Sequence, residues 1–206
     1  MSIFNFTEEQ SLGEVRSVET SRITVRVTDG QRLQKARVGR LVAIQSMGDE
    51  WLIGIIDRVW RHPVELPSFT VGDEPADLSG LPQEENGVSI SLVGTYRARD
   101  GQRKNTFTRA VFSLPEINRL VFPIEEKSLE DFMGILSASS KTDAVAPLKV
   151  GTYTLDGKAS AYIDGDKLFQ KHAALLGSTG CGKSFTVASI VEQSAQLAHG
   201  NIVVLD

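Results

Sequence analysis

Cysteine is almost missing from this chain: Cys181 is the only one in 206 residues. An intrachain disulfide is therefore excluded. One Cys and three scattered His also leave no CxxC or His/Cys cluster of the kind that holds a structural zinc. No apolar run approaches the roughly 18 residues of a membrane-spanning helix. The opening MSIFNFTEEQ lacks the basic start and apolar middle of a secretory signal. Neither membrane insertion nor export is expected, which leaves the cytoplasm as the default compartment. A net positive charge is lacking too: 22 basic against 26 acidic residues give −4. No global field attracts nucleic acid or an acidic membrane, so any such site must be local or made by assembly. Internal repeats and low-complexity tracts are absent. Arginine disappears partway along: 13 Arg and two Lys occur up to Arg119, and seven Lys but no Arg after it. What remains, 41% hydrophobic and 23% charged residues, is the composition of a soluble globular chain long enough for one domain or two small ones.

The first 120 residues read as β structure. Ile23, Val25 and Val27 alternate with Thr24 and Arg26, the period of a half-buried strand, and Glu19-Thr20-Ser21 can turn it back on GEVRSV. LVAIQ and WLIGIIDRVW follow, joined by the short Gly-containing loop 46–50. The run from Trp51 to Trp60 is apolar on both faces at first and reads as a central strand. Residues 61–87 hold four Pro, several acids and little periodicity, and predict a long surface loop with a Pro-broken edge. GVSISLVGTYRAR alternates again, and Asp100-Gly101 turns it toward NTFTRAVFSL. Short strands at this spacing predict a small, closed or nearly closed antiparallel barrel.

From Ser113 the pattern changes. KSLEDFMGILSAS reads as a helix with Leu129, Phe132, Met133 and Leu136 inward, and GTYTLDGKASAYI as a hairpin turning at Asp156-Gly157. AALLG predicts a short buried strand. KSFTVASIVEQSAQLAH predicts a helix with Phe185, Ala188, Val191, Ala195 and Ala198 on one face, stopped at Gly200, and NIVVLD a second apolar strand. Strand, loop, helix and strand make one βαβ unit, the seed of a parallel α/β sheet. The boundaries expected are a barrel over 8–122, a linker and hairpin over 123–170, and the βαβ unit over 171–206.

One motif carries chemistry. Residues 177–184 read GSTGCGKS, a match to GxxxxGK[ST], placed after an apolar run and opening a helix as a phosphate loop requires. Gly177, Gly180 and Gly182 admit backbone conformations that a Cβ would forbid. With Ser178, Thr179 and Cys181 they form the loop, and N–H groups from Gly180 to Ser184 point at the β-phosphate, with Phe185 next in the helix. Lys183 would set its ammonium between the β- and γ-phosphates, and the Ser184 hydroxyl would complete the shell of a magnesium ion. The cofactors expected are ATP and Mg2+. A Gly-rich strand-to-helix turn without a ligand is the plainer alternative.

Other residues say less. Cys181 is a small filler in the loop, or a thiol open to alkylation at a helix N-terminus. Asp206 closes the second strand, where carboxylates often face a nucleotide, or is a plain strand end. His172 reads as structural, and Trp51 and Trp60 as barrel core more than base-stacking platforms. Arg22, Arg26, Arg97, Arg99 and Arg103 could form a nucleic-acid face. With 15 basic and 16 acidic residues in the first 120, however, the barrel is expected to bind protein and not DNA.

On these residues the sequence resembles the HerA family of hexameric DNA-translocating ATPases, within the FtsK/HerA superfamily. The segment GEVRSVETSRITVRV with VGRLVAIQ and WLIGIIDRV resembles the HAS barrel. VGTYTLDGKASAYIDGDKLFQKHAALLGSTGCGKS resembles the approach to the HerA phosphate loop, and NIVVLD the strand after it. Cys181 stands where Ser is more usual. The resemblance implies a multidomain β plus α/β fold, a small antiparallel barrel followed by the start of a RecA-like ATPase domain. It implies an ATP-driven DNA translocase or helicase-like motor with Lys183 as its catalytic lysine. It also implies a homo-oligomer, a hexamer, with DNA in its channel, and a nuclease or sirtuin-like effector docked through the barrel, in DNA-end processing or anti-phage defence. Such rings use a second carboxylate, a sensor residue and an arginine donated across the subunit boundary, and none of these is placed within the chain. The chain is therefore read as an amino-terminal fragment, inactive alone in hydrolysis. Two readings compete: a barrel-plus-phosphate-loop ATPase of the rotary or termination-factor kind, and a barrel module for subunit assembly and effector docking.

Overall fold

Alternation along the amino-terminal strands is what closes them into a barrel. The computed structural model describes residues 2–46, 48–63, 70–71, 74–75, 84–98, 105–137, 147–170, 172–195 and 203. A single 3-10 turn, Glu8–Gln10, precedes β1 (Gly13–Val18) and β2 (Arg22–Arg26). Asp29 then caps α1 (Gly30–Lys35), its carboxylate accepting from the Gln31 N–H at 2.8 Å. β3 (Leu41–Gln45) and β4 (Glu50–Pro63) form a hairpin. The small pair β5 (Thr70–Val71) and β6 (Glu74–Pro75) follows, then β7 (Glu84–Arg97), β8 (Thr106–Thr108) and β9 (Leu120–Pro123). The order β2-β1-β9-β3-β4-β7 is closed by pairing of β2 with β7, giving a six-stranded antiparallel barrel with β8 appended to β7. Closure removes the free edges that an open sheet of this size would expose. The predicted barrel is present.

Inward-facing Val15, Ile23, Val25, Ile44, Leu52 and Ile90 are fully buried in its lumen. The central-strand reading of Trp51 to Trp60 has a simple cause: Leu52 faces the lumen while its neighbour Ile53 is buried on the outer face, in a second core. That second core joins Ala43 and Ile53 of the barrel wall to Phe4, Tyr96, Ile124 and the helix α2 (Glu126–Ser137). Leu129 and Phe132 of α2 are buried there, with Met133 and Leu136 packed against them, as the helical spacing predicts. Trp51 stands with Phe4, Phe6 and Phe122 in an aromatic group at centroid distances of 5.6, 5.7 and 6.1 Å.

Two expectations need correction in this half. Residues 61–63 and 84–87 are strand, not loop: Arg61, His62 and Pro63 pair with Asn86, Glu85 and Glu84, so the barrel hairpin runs well past the barrel. The Pro signal failed there because Pro63 sits at a strand end, where no ladder donor is needed. NTFTRAVFSL contributes only the three residues of β8 before leaving the sheet. The helix α1 gave no clear sequence signal, being only six residues long. The Asp100-Gly101 turn lies outside the described residues.

β4 carries an irregularity with consequences. Its register against β7 shifts between Ile56 and Arg58, so Asp57 is the extra residue of a β-bulge on the outer face. The Ser91 hydroxyl donates to Asp57 Oδ2 at 2.6 Å, and Arg22 Nε lies 3.4 Å from the same oxygen. The Ser91 hydrogen bond holds the Asp57 carboxyl below its ordinary 3.8; burial opposes this, and the nearby Ser89 hydroxyl and Arg22 add to the lowering. Folding thus favours the ionised form. The resulting stability is complete above pH 3.8 and is lost as pH falls through the lower folded value. Urea midpoints measured from pH 6 down to 2 should drop less steeply at the acid end for Asp57→Asn than for the parent chain; parallel curves would show that Asp57 is not coupled to folding.

Beyond the barrel, β10 (Pro147–Tyr153) and β11 (Asp156–Asp164) form a separate hairpin, followed by α3 (Gly165–Phe169) and α4 (Lys183–Ser194). The turn is Thr154-Leu155, two residues before the predicted one, and Asp156-Gly157 instead begin β11. Tertiary contacts overrule the Asp-Gly preference. Arg40 Nη2 donates to the Leu155 carbonyl at 3.4 Å, and the Asp156 carboxylate accepts from the Glu126 N–H. Arg40 also pairs with Glu125 and donates to the Lys35 carbonyl at 2.9 Å, so one largely buried guanidinium ties α1, the start of α2 and the hairpin turn together. α2 packs on β11, and through it the hairpin is held against the barrel wall.

Candidate nucleotide-binding loop

The residues between α3 and α4 form the loop picked out by its glycines. Gly180 and Gly182 have φ of +81° and +88°, the left-handed region where a Cβ is strained, and Gly182 is the N-cap of α4. Their alternation with Cys181 curls the chain into the helix. The first N–H groups of α4 are thereby left without intrahelical acceptors and point out of the helix end. Lys183 folds back over this loop: its Nζ donates to the carbonyls of Gly177 and Ser178 at 2.8 and 2.6 Å. The Cys181 sulfur is 3.9 Å from that ammonium, and a Cβ on Gly177 would approach the same sulfur to 2.5 Å. Cys181 is thus both the packing partner that keeps position 177 small and an exposed thiol at the loop centre. Ser178, Thr179, Ser184 and Phe185 are exposed around it.

This arrangement fits a nucleotide phosphate on structural grounds. The ammonium is already at the loop, held chiefly by two carbonyls that an entering phosphate can replace. Ser184 presents its hydroxyl from the first helical turn. The left-handed pair Gly180 and Gly182 opens the concave side that side chains would otherwise fill. Among the described residues no group of three or more His, Cys, Asp or Glu is placed to hold a metal ion, so a magnesium ion here would depend on Ser184 and the phosphates themselves.

α4 is positioned by Gln193, which sequence reasoning overlooked. Its side-chain amide makes a two-point bond to one residue of β10, accepting from the Lys149 N–H and donating to the Lys149 carbonyl, both at 2.8 Å. The amide behaves as a one-residue extension of the hairpin, and Ser194 beside it is the buried residue of the helix. The predicted apolar face of α4 is not what packs. Phe185 is 81% exposed, and Ala188 and Ala195 are exposed as well; Ala198 lies outside the described residues. Likewise AALLG is not a buried strand: residues 173–177 are irregular and open, with Leu176 90% exposed. A strand exists only through hydrogen-bonded neighbours, and no described residue pairs with this segment. The second strand NIVVLD, with Asp206, lies outside the described residues apart from Val203. His172 is exposed ahead of the loop.

A glycine-bent loop with its lysine held over it, opening a helix, has the form of a phosphate loop. Residues 148–206, from the hairpin through the loop to the carboxyl end, match the family described as DUF87: Helicase HerA, central domain, and this part of the chain is a HerA-like ATPase segment. The barrel lies outside that match, and no curated protein matches the chain. Among the described residues no helix is long and apolar enough to cross a membrane.

Proposed function

We propose that the chain is the nucleotide-holding part of a ring-forming, ATP-driven DNA translocase or helicase-like motor. The observation that carries this reading is the phosphate loop 177–184, with Lys183 poised over it, inside a segment of HerA central-domain type. In this reading Lys183 exchanges its two carbonyl partners for the β- and γ-phosphates of ATP. The N–H groups from Gly180 to Ser184 hold the β-phosphate, and Ser184 Oγ ligates a magnesium ion. Mg2+, when bound, neutralises charge on the transferred phosphoryl group. Gln193 keeps α4, and so these donors, in register with the hairpin. The ring is a homo-oligomer, by family likeness a hexamer, acting in the cytoplasm on DNA in its channel. The barrel serves as the docking surface for a nuclease or sirtuin-like effector, in DNA-end processing or anti-phage defence. A motor of this kind grips the phosphate backbone without reading sequence. DNA of unrelated sequences should therefore stimulate ATP turnover of the assembled ring equally, with stimulation falling steeply as salt rises. ATP turnover indifferent to DNA would refute the translocase reading while leaving the nucleotide site standing.

A further inference from the structure

The β10–β11 hairpin stands between the barrel and the phosphate loop, and its turn end is clasped to the barrel. Arg40, with only 12% of its side chain exposed, pairs with Glu125 and donates to the Leu155 carbonyl. The Leu155 side chain lies over Gly39, where an added Cβ would be 3.5 Å from its Cδ1. Asp156 closes the clasp from the hairpin side by accepting from the Glu126 N–H. Glu126 is under backbone strain there. Its φ is +47°, the left-handed region that a residue with a Cβ avoids. Such a conformation persists only where its surroundings impose it. Here Arg40 holds Glu125 and Asp156 holds Glu126. A cavity of about 260 Å³, lined by Leu41, Leu129 and Tyr153 beside these residues, leaves the turn room to move.

The open end of the hairpin carries α4. The Gln193 amide bonds both backbone groups of Lys149, as described above. Val150 bulges out of β10 next to it, but β11 bridges the irregularity: Ser160, Ala161 and Tyr162 pair in turn with Thr152, Gly151 and Lys149. Tyr153 and Ala159, near the turn, belong to the second core, whereas Lys149 is exposed. One hairpin thus has its turn end fixed to the barrel and its open end fixed to the helix that the phosphate loop opens.

We infer that the hairpin is a relay between the barrel and the phosphate loop. With the clasp at Arg40 and Asp156 closed, α4 and residues 177–184 are held in the phosphate-binding geometry; opening the clasp weakens nucleotide binding. The closed clasp and the curled loop are present together in this structure. Release lets Glu126 return to an unstrained conformation, which gives the clasp two alternative states for the two ends to bias. Coupling of this kind is reciprocal, so nucleotide at the loop tightens the clasp by the factor that the clasp lends to nucleotide. A barrel-bound protein that competes for the Arg40 guanidinium would thereby release nucleotide. The relay rests on the nucleotide reading of the loop.

The test combines a double-mutant cycle with amide hydrogen exchange, both on the whole chain. Arg40 and Gln193 have no hydrogen-bond partner in common, so independent effects on affinity would multiply. Arg40→Gln and Gln193→Ala should each weaken Mg-ATP binding by about fivefold or more. The double variant should bind no more weakly than the weaker single one, because either change already breaks the relay. Asp156→Ala opens the clasp without touching the nearly buried arginine, and should reproduce the effect of Arg40→Gln. In the parent chain, saturating Mg-ATP should slow exchange of the Glu126 N–H. Without nucleotide, Gln193→Ala should speed exchange of the same N–H by about threefold or more. Affinities that multiply in the double variant would overturn the relay, as would Glu126 exchange indifferent to both Mg-ATP and Gln193→Ala. A parent chain that binds no Mg-ATP would overturn the nucleotide reading by itself. The exchange rate in Gln193→Ala then decides the relay alone: faster exchange at Glu126 keeps it, and unchanged exchange overturns it.

Discussion

Replacing Lys183 by Ala should lower affinity for Mg-ATP by roughly 10²-fold or more, while the barrel's thermal unfolding is unchanged. The loss reflects the removal of a charge-assisted donor aimed at a phosphate. The unchanged barrel follows from position: among the described residues the Lys183 ammonium bonds only to the Gly177 and Ser178 carbonyls and the Cys181 sulfur, none of them in either core. Binding can be followed with a fluorescent ATP analogue and unfolding by Trp51 and Trp60 emission. Cys181 provides an internal check, since bound Mg-ATP should cover the only thiol and slow its alkylation severalfold in the parent chain but not in Lys183→Ala. Equal ATP affinity in the two proteins would remove the loop from the functional reading.

Truncating Phe132 to Ala should cost about 3–5 kcal/mol of stability, the range for a large buried aromatic replaced without repacking. Phe132 is 1% exposed, with its ring 5.3 Å from Phe107 and 6.2 Å from Phe4. It therefore joins α2 to the barrel wall and to the amino-terminal segment at once. The loss should reach the site. α2 carries β11, β11 pairs with β10, and β10 holds α4 through Gln193. Phe132→Leu, which keeps most of the apolar volume, should recover more than half of the stability. Denaturant unfolding followed by Trp emission measures both. A cost under about 1 kcal/mol for Phe132→Ala would show that α2 is not part of the folded core.

Local patterns settled the parts of this protein whose causes are local. Period-two alternation at Ile23, Val25, Val88 and Ile90 sufficed for the barrel strands, because one face of each had to meet the lumen. Glycine at 180 and 182 and lysine at 183 sufficed for the loop, because the left-handed backbone and the phosphate-seeking charge belong to those residues alone. The spacing of Leu129 and Phe132 sufficed for the inward face of α2. Other features needed partners distant in sequence. The turn at Thr154-Leu155 was decided by Arg40 and Glu126, against the preference of Asp156-Gly157. AALLG had the composition of a strand, but composition provides no hydrogen-bonded neighbour, and the segment is open. The apolar face read for α4 stays largely exposed, and the contact that seats the helix is the polar amide of Gln193. A carboxylate interrupting the apolar run WLIGIIDRVW was the only sequence sign of the bulge at Asp57. What it meets there was decided by strand pairing: β7 against β4 brings Ser91 and Ser89 beside it, and closure of β2 on β7 adds Arg22, all more than thirty positions away in sequence.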